Sequence, residues 1–518
     1  MKTTCGIPDG GAGNACGVSG SRHAGKFRWT LLTGALALAL VTPVTGFARE
    51  LVLVAESTLR LAAPTTPAPE EPKPVLSWET RARRSYIIPG LEIVGFIFLL
   101  NQYDRNFSEP KDVYRTDYST FRHNLTGKWV VDTDPFATNQ FLHPYQGSIY
   151  YGFARSAGLN YWESLVYTAV GSFLWETAGE TGPPSINDQI TTSIGGTFLG
   201  EPLFRMASLL LESGDGTPGF WRELGAAVIS PSTGFNRLIF GNRFDPVFPS
   251  RDPAVFMRFQ LGGSLTSQVS DQGVSQTAKR HEATADFTIA YGLPGKPGYR
   301  YTRPFDYFHF QFTAASANIF ENIMIRGLLI GTDYALGDAY RGVWGLYGSY
   351  DYIAPQIFRV SSTALSLGTT AQWWLSKAVA LQGSALGGIG YGAAGTVHGS
   401  GERDYHYGAT PQALLALRLM FGDVANFDLT GREYYVSGRG STENRGSEHV
   451  FRGDAAFTVR AYGHHAVTLK YVVSHRDAHY PDIQDRHQTV GTVSLAYTFL
   501  SDFKFGAVEW RAVDAGGR

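Results

Sequence analysis

The C-terminal half of the chain alternates apolar and polar residues in long runs, and this pattern constrains the fold more than any other. About twelve such runs, each near ten residues long, lie between residues 254 and 500 with polar turns between them. In one run, Phe457 and Val459 have one parity while Thr458 and Arg460 have the other. Successive side chains of a strand point to opposite faces, so each run predicts a strand with one apolar and one polar face.

The length of these runs favours a membrane barrel over a soluble sandwich. Strands of soluble sheets usually have about five or six residues, whereas a tilted strand needs about nine to eleven to cross a bilayer. Lipid leaves no partner for an open sheet edge, so the sheet must close. The sequence therefore predicts an α+β chain, with an N-terminal helical domain followed by an antiparallel transmembrane β-barrel of about 12 strands over residues 241–500. The runs 322–335 and 378–391 alternate poorly.

Charged residues occupy the polar parity of the predicted strands. The predicted lumen charges are Arg258, Asp286, His309, Arg418, Arg452, Asp454 and Arg460. A soluble sandwich would bury one face of these strands without such charges, whereas a barrel lumen holds them in water or against a plug. Mixed charges in a narrow lumen can pair across it, so the pattern does not imply a wide pore.

The N-terminus carries an export signal. The prediction divides this region into a signal peptide with a long leader, 1–48, and a proline-rich linker, 49–84. A basic segment precedes the apolar stretch Thr30–Val41, which is too short to cross a bilayer, and small residues precede a cleavage site after Ala48. Together with the predicted barrel, this places the protein in the bacterial outer membrane.

Composition argues against thiol chemistry and against nucleic-acid binding. Both cysteines, Cys5 and Cys16, lie in the leader, so the exported chain has no thiol for a disulfide, a metal site or a nucleophile. The net charge of −1 argues against a nucleic-acid partner, which would need a concentrated basic surface. The expected partners are outer-membrane lipid and the outer-membrane assembly machinery. A C-terminal tail, 501–518, follows the last predicted strand.

Residues 85–240 predict a helical domain. The segment from Tyr86 to Leu100 is apolar enough for a buried or interfacial helix, and 101–139 has no regular period. Helical periodicity then predicts helices over 143–157 and 161–178. A third helix, capped by Ser185, would run to Leu211 with interruptions at Gly195-Gly196 and at Gly200-Glu201-Pro202.

Several short motifs in this helical block carry a family resemblance. They are His143-Pro144-Tyr145-Gln146-Gly147-Ser148, Tyr150-Tyr151, Ala154-Arg155-Ser156, Gly171-Ser172-Phe173-Leu174-Trp175-Glu176, Pro184-Ser185-Ile186-Asn187-Asp188, Gly200-Glu201-Pro202-Leu203-Phe204-Arg205 and Phe235-Asn236-Arg237-Leu238. Over residues 100–240 the chain resembles the bacterial family named domain of unknown function 3943. The resemblance implies an envelope protein of Gram-negative bacteria, and it implies no activity, substrate or catalytic residue.

Ionisable residues on the predicted helices are the candidate site. They are His143, Arg155, Glu176, Asp188, Glu201 and Arg205. Buried charges are costly unless paired, so such a group indicates either a salt-bridged core or a functional site. In a hydrolase, His143 would be the general base, Glu176 would orient it, and Ser164 would be a conceivable nucleophile. No G-x-S-x-G or H-E-x-x-H pattern accompanies them, so we expect neither a metal nor a cofactor.

These patterns favour a non-enzymatic function. The preferred hypothesis is a channel or a lipid- or solute-handling barrel, occluded or gated by the helical domain, which either plugs the lumen or lies beneath the barrel in the periplasm. An outer-membrane hydrolase acting on lipid or cell-wall material is the alternative. A structural envelope protein is the third possibility.

Overall fold

The computed structural model describes residues 84–510, apart from 109, 215–216, 246–247, 272–273, 277–279, 356–357, 398–400 and 439–445. The predicted signal peptide, nearly all of the proline-rich linker and residues 511–518 lie outside the described residues. The first half of the described chain is helical and the second half is a sheet.

Eight α-helices form the helical domain within the described residues. They are α1 Ile87–Phe107, α2 Tyr118–Thr126, α3 His143–Ser156, α4 Tyr161–Ala178, α5 Ile186–Ile190, α6 Gly196–Glu212, α7 Phe220–Ile229 and α8 Pro231–Phe240. A π-helical turn, Thr138–Leu142, leads into α3, and a second, Thr191–Gly195, joins α5 to α6. In the described part of the chain, none of the helices is both long and apolar enough to cross a membrane.

The helices agree with the periodicity in some places and depart from it in others. The Ser185 side chain caps α5 by accepting from the backbone N–H of Asp188, as predicted. The predicted break at Pro202 is wrong, because Pro202 lies inside α6. The segment predicted to be irregular contains α2, and residues 220–240 form α7 and α8, which the sequence analysis missed.

Twelve long antiparallel strands close into a barrel, which confirms the predicted fold class. Together with the three-residue β2, the strands of the described chain are β1 Val255–Asp271, β2 Val274–Gln276, β3 Arg280–Tyr291, β4 Phe308–Ala315, β5 Asn322–Leu336, β6 Tyr340–Ile353, β7 Arg359–Trp374, β8 Val379–Gly395, β9 Tyr405–Phe421, β10 Ala425–Val436, β11 Ser447–Tyr462, β12 His465–Tyr480 and β13 Ile483–Leu500. Each long strand pairs with its neighbours in sequence, and β2 only extends the hairpin after β1. Pairing of β13 with β1, with Phe259 opposite Phe499, closes the sheet.

The two ends of the barrel differ in their connections. At one end, which we call the turn rim, four connections are short, 337–339, 375–378, 422–424 and 463–464. The long connection 292–307 also lies at this end, as do Val255 and Leu500. At the other end, the loop rim, the connections include 316–321, 354–358, 396–404 and 437–446. Short turns at the end that holds both strand termini are typical of the periplasmic side of outer-membrane barrels.

The helical domain packs against the outer face of the barrel wall. On β6, Trp344 is exposed on the outer face, and Gly348 and Tyr350 share its parity. Phe198 of α6 lies against Gly348, where any side chain on the strand would collide with its ring. The hydroxyl of Tyr350 donates to the backbone carbonyl of Gln140 at 2.5 Å. The prediction that the helices plug the lumen or lie beneath the barrel is therefore wrong for the described helices.

An aromatic core forms between the helices and the wall. Phe141, Phe198 and Tyr161 from the helical side pack with outward-facing strand residues such as Phe308 and Tyr352. The long connection 292–307 contributes Phe305, which covers Gly327 of β5 and stacks on Tyr161. Burial of large rings is the main driving force for such an interface, so the helical domain and the wall share one hydrophobic core.

Candidate functional site

Two arginines and a carboxylate form a buried ion network in the lumen, near the turn-rim ends of β1, β9 and β10. Arg258 Nη1 and Arg418 Nε each lie 2.7 Å from an oxygen of Asp428. Asp286 accepts from Gln311 at 2.7 Å and lies 3.9 Å from the ammonium of Lys470. The predicted lumen residues Arg258, Asp286, His309, Arg418, Arg452 and Asp454 all have the inward parity of their strands. The lumen is thus lined by paired charges.

A second group of ion pairs lies closer to the loop rim, and the sequence analysis did not include it. Arg476 donates to both carboxylate oxygens of Glu448 at 2.6 Å, and both side chains are completely buried. Asp351 accepts from Tyr434 at 2.8 Å and lies 3.3 Å from Arg432. These residues share the inward parity of the predicted set, so the same pattern would have found them.

A cavity of 320 Å³ lies in the loop-rim half of the lumen. Strand residues and the loop-rim connections line it, and its charged lining includes Arg280, Glu282, Asp286, Arg452 and Lys470. Small-molecule sites usually have about 300–1,000 Å³. The cavity therefore has the volume and polarity to hold one small polar solute.

The C-terminal segment 501–510 closes the lumen at the turn rim. Phe505 is completely buried there, in a cluster that includes Val508 and the inward-facing Phe256. Gln382 Nε2 donates to the carbonyl of Gly506 at 2.6 Å, and Gln372 Nε2 donates to that of Val508 at 2.7 Å.

The backbone and one arginine hold this segment in place. Phe505 has φ of 54°, a left-handed conformation that is uncommon outside glycine. The predicted lumen residue Arg460 stacks its guanidinium over the rings of Phe503 and Phe505, at 5.1 and 5.0 Å from their centres. Arg460 thus supports the closing segment at the turn rim instead of lining the cavity.

A buried charge network also ties the helical domain to the barrel. Glu201 of α6 binds Arg155 Nε at 2.7 Å and Arg205 Nε at 2.8 Å, and Arg205 Nη1 reaches Asp306 of the 292–307 connection at 3.0 Å. Burial alone would raise the pKa of Glu201, but the two guanidiniums outweigh it and bring the pKa to about 2. These predicted site residues therefore form a structural ion-pair core.

The remaining candidates contact different partners. His143 Nδ1 lies 3.3 Å from the Thr192 hydroxyl and its Nε2 3.9 Å from Asp188, whereas Glu176 accepts from the backbone N–H of Ser185 at 2.8 Å. Burial lowers the pKa of His143 and raises that of Asp188 well above its usual range, so their neutral forms are favoured.

Ser164 occupies a structural position on α4. Its hydroxyl donates to the carbonyl of Asn160, one turn earlier on the helix, at 2.8 Å. The side chain is completely buried. Ser164 therefore forms a structural hydrogen bond within its own helix.

A polar interface cluster links the helical domain to β9, and the sequence analysis missed it. Asn187 Nδ2 lies 2.9 Å from Asp132 and 2.9 Å from the hydroxyl of Tyr407, and Asn139 Nδ2 lies 3.0 Å from that of Tyr405. Both tyrosines have the outward parity of β9. Two hydroxyls at a parity expected to face lipid were the signal that protein covers this part of the wall.

Solved outer-membrane proteins match just under half of the chain at low identity. The NanC porin is 6% identical over 46% of this chain and 98% of its own, with a TM-score of 0.25. The outer membrane channel DcaP of Acinetobacter baumannii is 7% identical over 48% and 96%, with a TM-score of 0.23. An anion-selective porin from Comamonas acidovorans is 8% identical over 48% and 99%, with a TM-score of 0.20. Among curated proteins, none matches this chain.

One family model matches the helical half. It covers residues 128–232, which run from just before the Asp132 cluster into α8 and include the buried network around Glu201. The match confirms the resemblance noted in the sequence. Residues 128–232 thus match the family described as Domain of unknown function (DUF3943).

Proposed function

We propose that this protein is an outer-membrane β-barrel channel for small polar solutes, closed at its periplasmic end by its own C-terminal segment. The observation that carries the proposal is the division of the lumen into a charged cavity of 320 Å³ and an apolar closure built around Phe505. Solute would enter the cavity from the loop rim, and passage would require residues 501–510 to leave the turn rim.

The cavity lining supports a polar solute of either charge sign. Arg280, Arg452 and Lys470 supply positive charge, and Glu282 and Asp286 supply negative charge. Charged rings in a channel favour the opposite ion, and this mixture gives no strong preference for either sign. Because Arg280 pairs with Glu282 and Lys470 with Asp286, the solute competes with protein partners and binding stays weak enough for release.

The closing segment is suited to reversible movement. Its polar contacts with the wall include neutral hydrogen bonds from Gln372 and Gln382, each worth about 0.5–1.5 kcal/mol. Arg460 adds a hydrogen bond to the carbonyl of Asp502, and Phe505 fills the remaining space. In this proposal the helical domain does not block the lumen. It supports the outside of the wall and influences passage only through the shape of the strands that it covers.

Conductance of the full-length chain in a planar lipid bilayer with KCl tests the proposal. The double substitution Phe505→Ser and Val508→Ser removes the apolar anchors of the closing segment. We expect the intact chain to be mostly closed and the double variant to open several times more often. The matched control is Phe503→Ser, which changes an exposed ring of the same segment. It removes one of the two rings that Arg460 contacts but leaves both anchors, Phe505 and Val508, in place.

Two results would overturn the proposed channel function. A double variant that keeps its heat-modifiable gel shift but conducts no better than the intact chain would show that the segment is not the closure. Equal opening of the Phe503→Ser control would show that any disturbance of the tail makes a leak.

A further inference from the structure

The outer surface of the helical domain is unusually apolar. On α1, Leu91 and Phe98 are 68% and 62% exposed, and on α4, Val166 and Val170 are 56% and 52% exposed. The exposed apolar residues of this face, which we call the outer helical face, are Ile87, Leu91, Val94, Phe98, Leu99, Trp162, Val166, Val170 and Phe173. Contiguous apolar surface of this kind indicates an interaction site.

The helices α1 and α4 lie side by side and run in the same direction. Near their first turns the Tyr167 hydroxyl donates to the carbonyl of Tyr86 at 2.5 Å, and near their last turns Asn101 Nδ2 donates to the carbonyl of Gly179 at 2.8 Å. Their exposed residues therefore form one surface.

Charges border this surface at both ends and are absent from its middle. Arg84 and Glu163 form an ion pair at the first turns, and Asp104 and Glu180 lie at the last. Seventeen residues separate Glu163 from Glu180, which is about 25 Å along a helix at 1.5 Å per residue. Glu176 and the carboxylate oxygens of Glu92 lie between these ends but are buried. The apolar band around an outer-membrane barrel is also about 25 Å tall.

The outer helical face runs from the middle of the wall toward the loop rim. Tyr161, at the start of α4, stacks on Phe305, which covers the middle of β5 at Gly327. Beyond the end of α4, Asn187 reaches Tyr407 near the loop-rim end of β9. On the uncovered part of neighbouring strands, outward residues such as Leu367 stay exposed. The apolar outer surface of those strands therefore continues onto the helices.

We propose that the outer helical face lies in the hydrocarbon layer of the membrane and contacts lipid acyl chains. The helical domain is then embedded beside the barrel, with its polar groups turned toward the wall and its apolar side chains toward lipid. A position on one side of the barrel also explains why α1 and α4 combine an apolar face with buried carboxylates.

Site-specific quenching tests this placement. In the full-length chain with Cys5→Ser and Cys16→Ser, single cysteines at Val170, Leu469 and Lys377 would carry an environment-sensitive fluorophore in phosphatidylcholine vesicles. Leu469 is exposed on the free wall of β12, and Lys377 lies in a turn-rim connection. Quenching is measured with doxyl-labelled lipid and with aqueous iodide.

We expect Val170→Cys to resemble Leu469→Cys, with strong quenching by lipid and at least threefold less quenching by iodide than Lys377→Cys. Iodide quenching equal to that of the turn position would overturn the proposal, because the face would then be in water. Protection from both quenchers would also overturn it, because a protein partner or a second copy would then cover the face. The heat-modifiable gel shift of each labelled chain shows that the barrel has formed, so a misfolded variant is recognised before quenching is compared.

Discussion

The outer face of the barrel wall has two regions with the same parity and different surroundings. On the free region, Phe457 and Leu469 are 46% and 55% exposed. On the region beneath the helices, Tyr350 and Tyr407 are 1% and 2% exposed, and their hydroxyls bind helical-domain groups. Alternation along a strand shows which residues point outward, and it does not show what they meet there. The chemistry of the outward residues shows what they contact, since aliphatic side chains suit lipid and tyrosine hydroxyls need hydrogen-bond partners.

The largest loss of stability is expected from a substitution in the charge network behind the covered region. Glu201→Gln leaves the buried Arg155 without its counter-charge and weakens the hold on Arg205. Breaking a buried ion pair typically costs about 3–5 kcal/mol. We expect the free energy of unfolding of the helical domain to fall by that amount, measured by urea titration with tryptophan fluorescence in detergent. The barrel should keep its heat-modifiable gel shift, because its lumen networks are untouched.

A matched surface pair checks this comparison. Asp112→Asn removes the partner of Arg115, and these two side chains are 87% and 61% exposed. Pairs of this kind contribute about 1 kcal/mol or less. Equal losses in the two variants would show that burial of Glu201 does not set its contribution.

A substitution on the free region should have the next largest effect. Phe457→Arg places a charge among acyl chains, which costs about 2–4 kcal/mol near the middle of the bilayer. Val472→Arg is the control, because Val472 lines the lumen cavity on the other side of the sheet. We expect the first variant to lose most of its heat-modifiable fraction in membranes and the second to keep it. Similar losses from both would contradict the assignment of parity to lipid and lumen.

The smallest effect should come from single hydroxyl groups. Tyr407→Phe removes the hydroxyl that Asn187 contacts across the interface and one of the two that Asn139 contacts, and loss of a buried hydrogen bond costs about 0.5–1.5 kcal/mol. Tyr435→Phe, on an exposed outward position of β10, should change the free energy of unfolding by no more than about 0.5 kcal/mol. Urea titrations of the two variants in the same detergent make the comparison. If the exposed tyrosine proved the more costly to change, the interface would not depend on its hydroxyls.

The sequence predicted the barrel because strand alternation is a local property. Even the poorly alternating runs near 322–335 and 378–391 are strands, β5 and β8. In β8, small residues such as Gly387 interrupt the pattern, and in β5 a bulge between Leu328 and Ile330 shifts the parity. The position of the helices was not predictable in the same way, because packing of a domain on a sheet depends on contacts far apart in the chain.

The candidate site was predicted only in part, because its contacts also join residues that are far apart in the chain. Arg155, Glu201 and Arg205 were identified as ionisable groups on apolar helices, but Asp306, which pairs with Arg205, lies about one hundred residues away. The role of residues 501–510 could not be derived from their composition, because Gln372 and Gln382 bind the backbone of that segment and not its side chains.

The closure between β1 and β13 lies on the free region of the wall, where Leu265 and Leu495 remain exposed. This location affects the order of biogenesis. The first and last strands can be joined without moving the helical domain, because it binds the wall elsewhere. Docking of the helices can therefore precede zipping of the final strand pair, and a nascent chain could reach the membrane with its helical half already folded. Residues 501–510 follow β13 in the chain, so their entry into the mouth would be the final folding event.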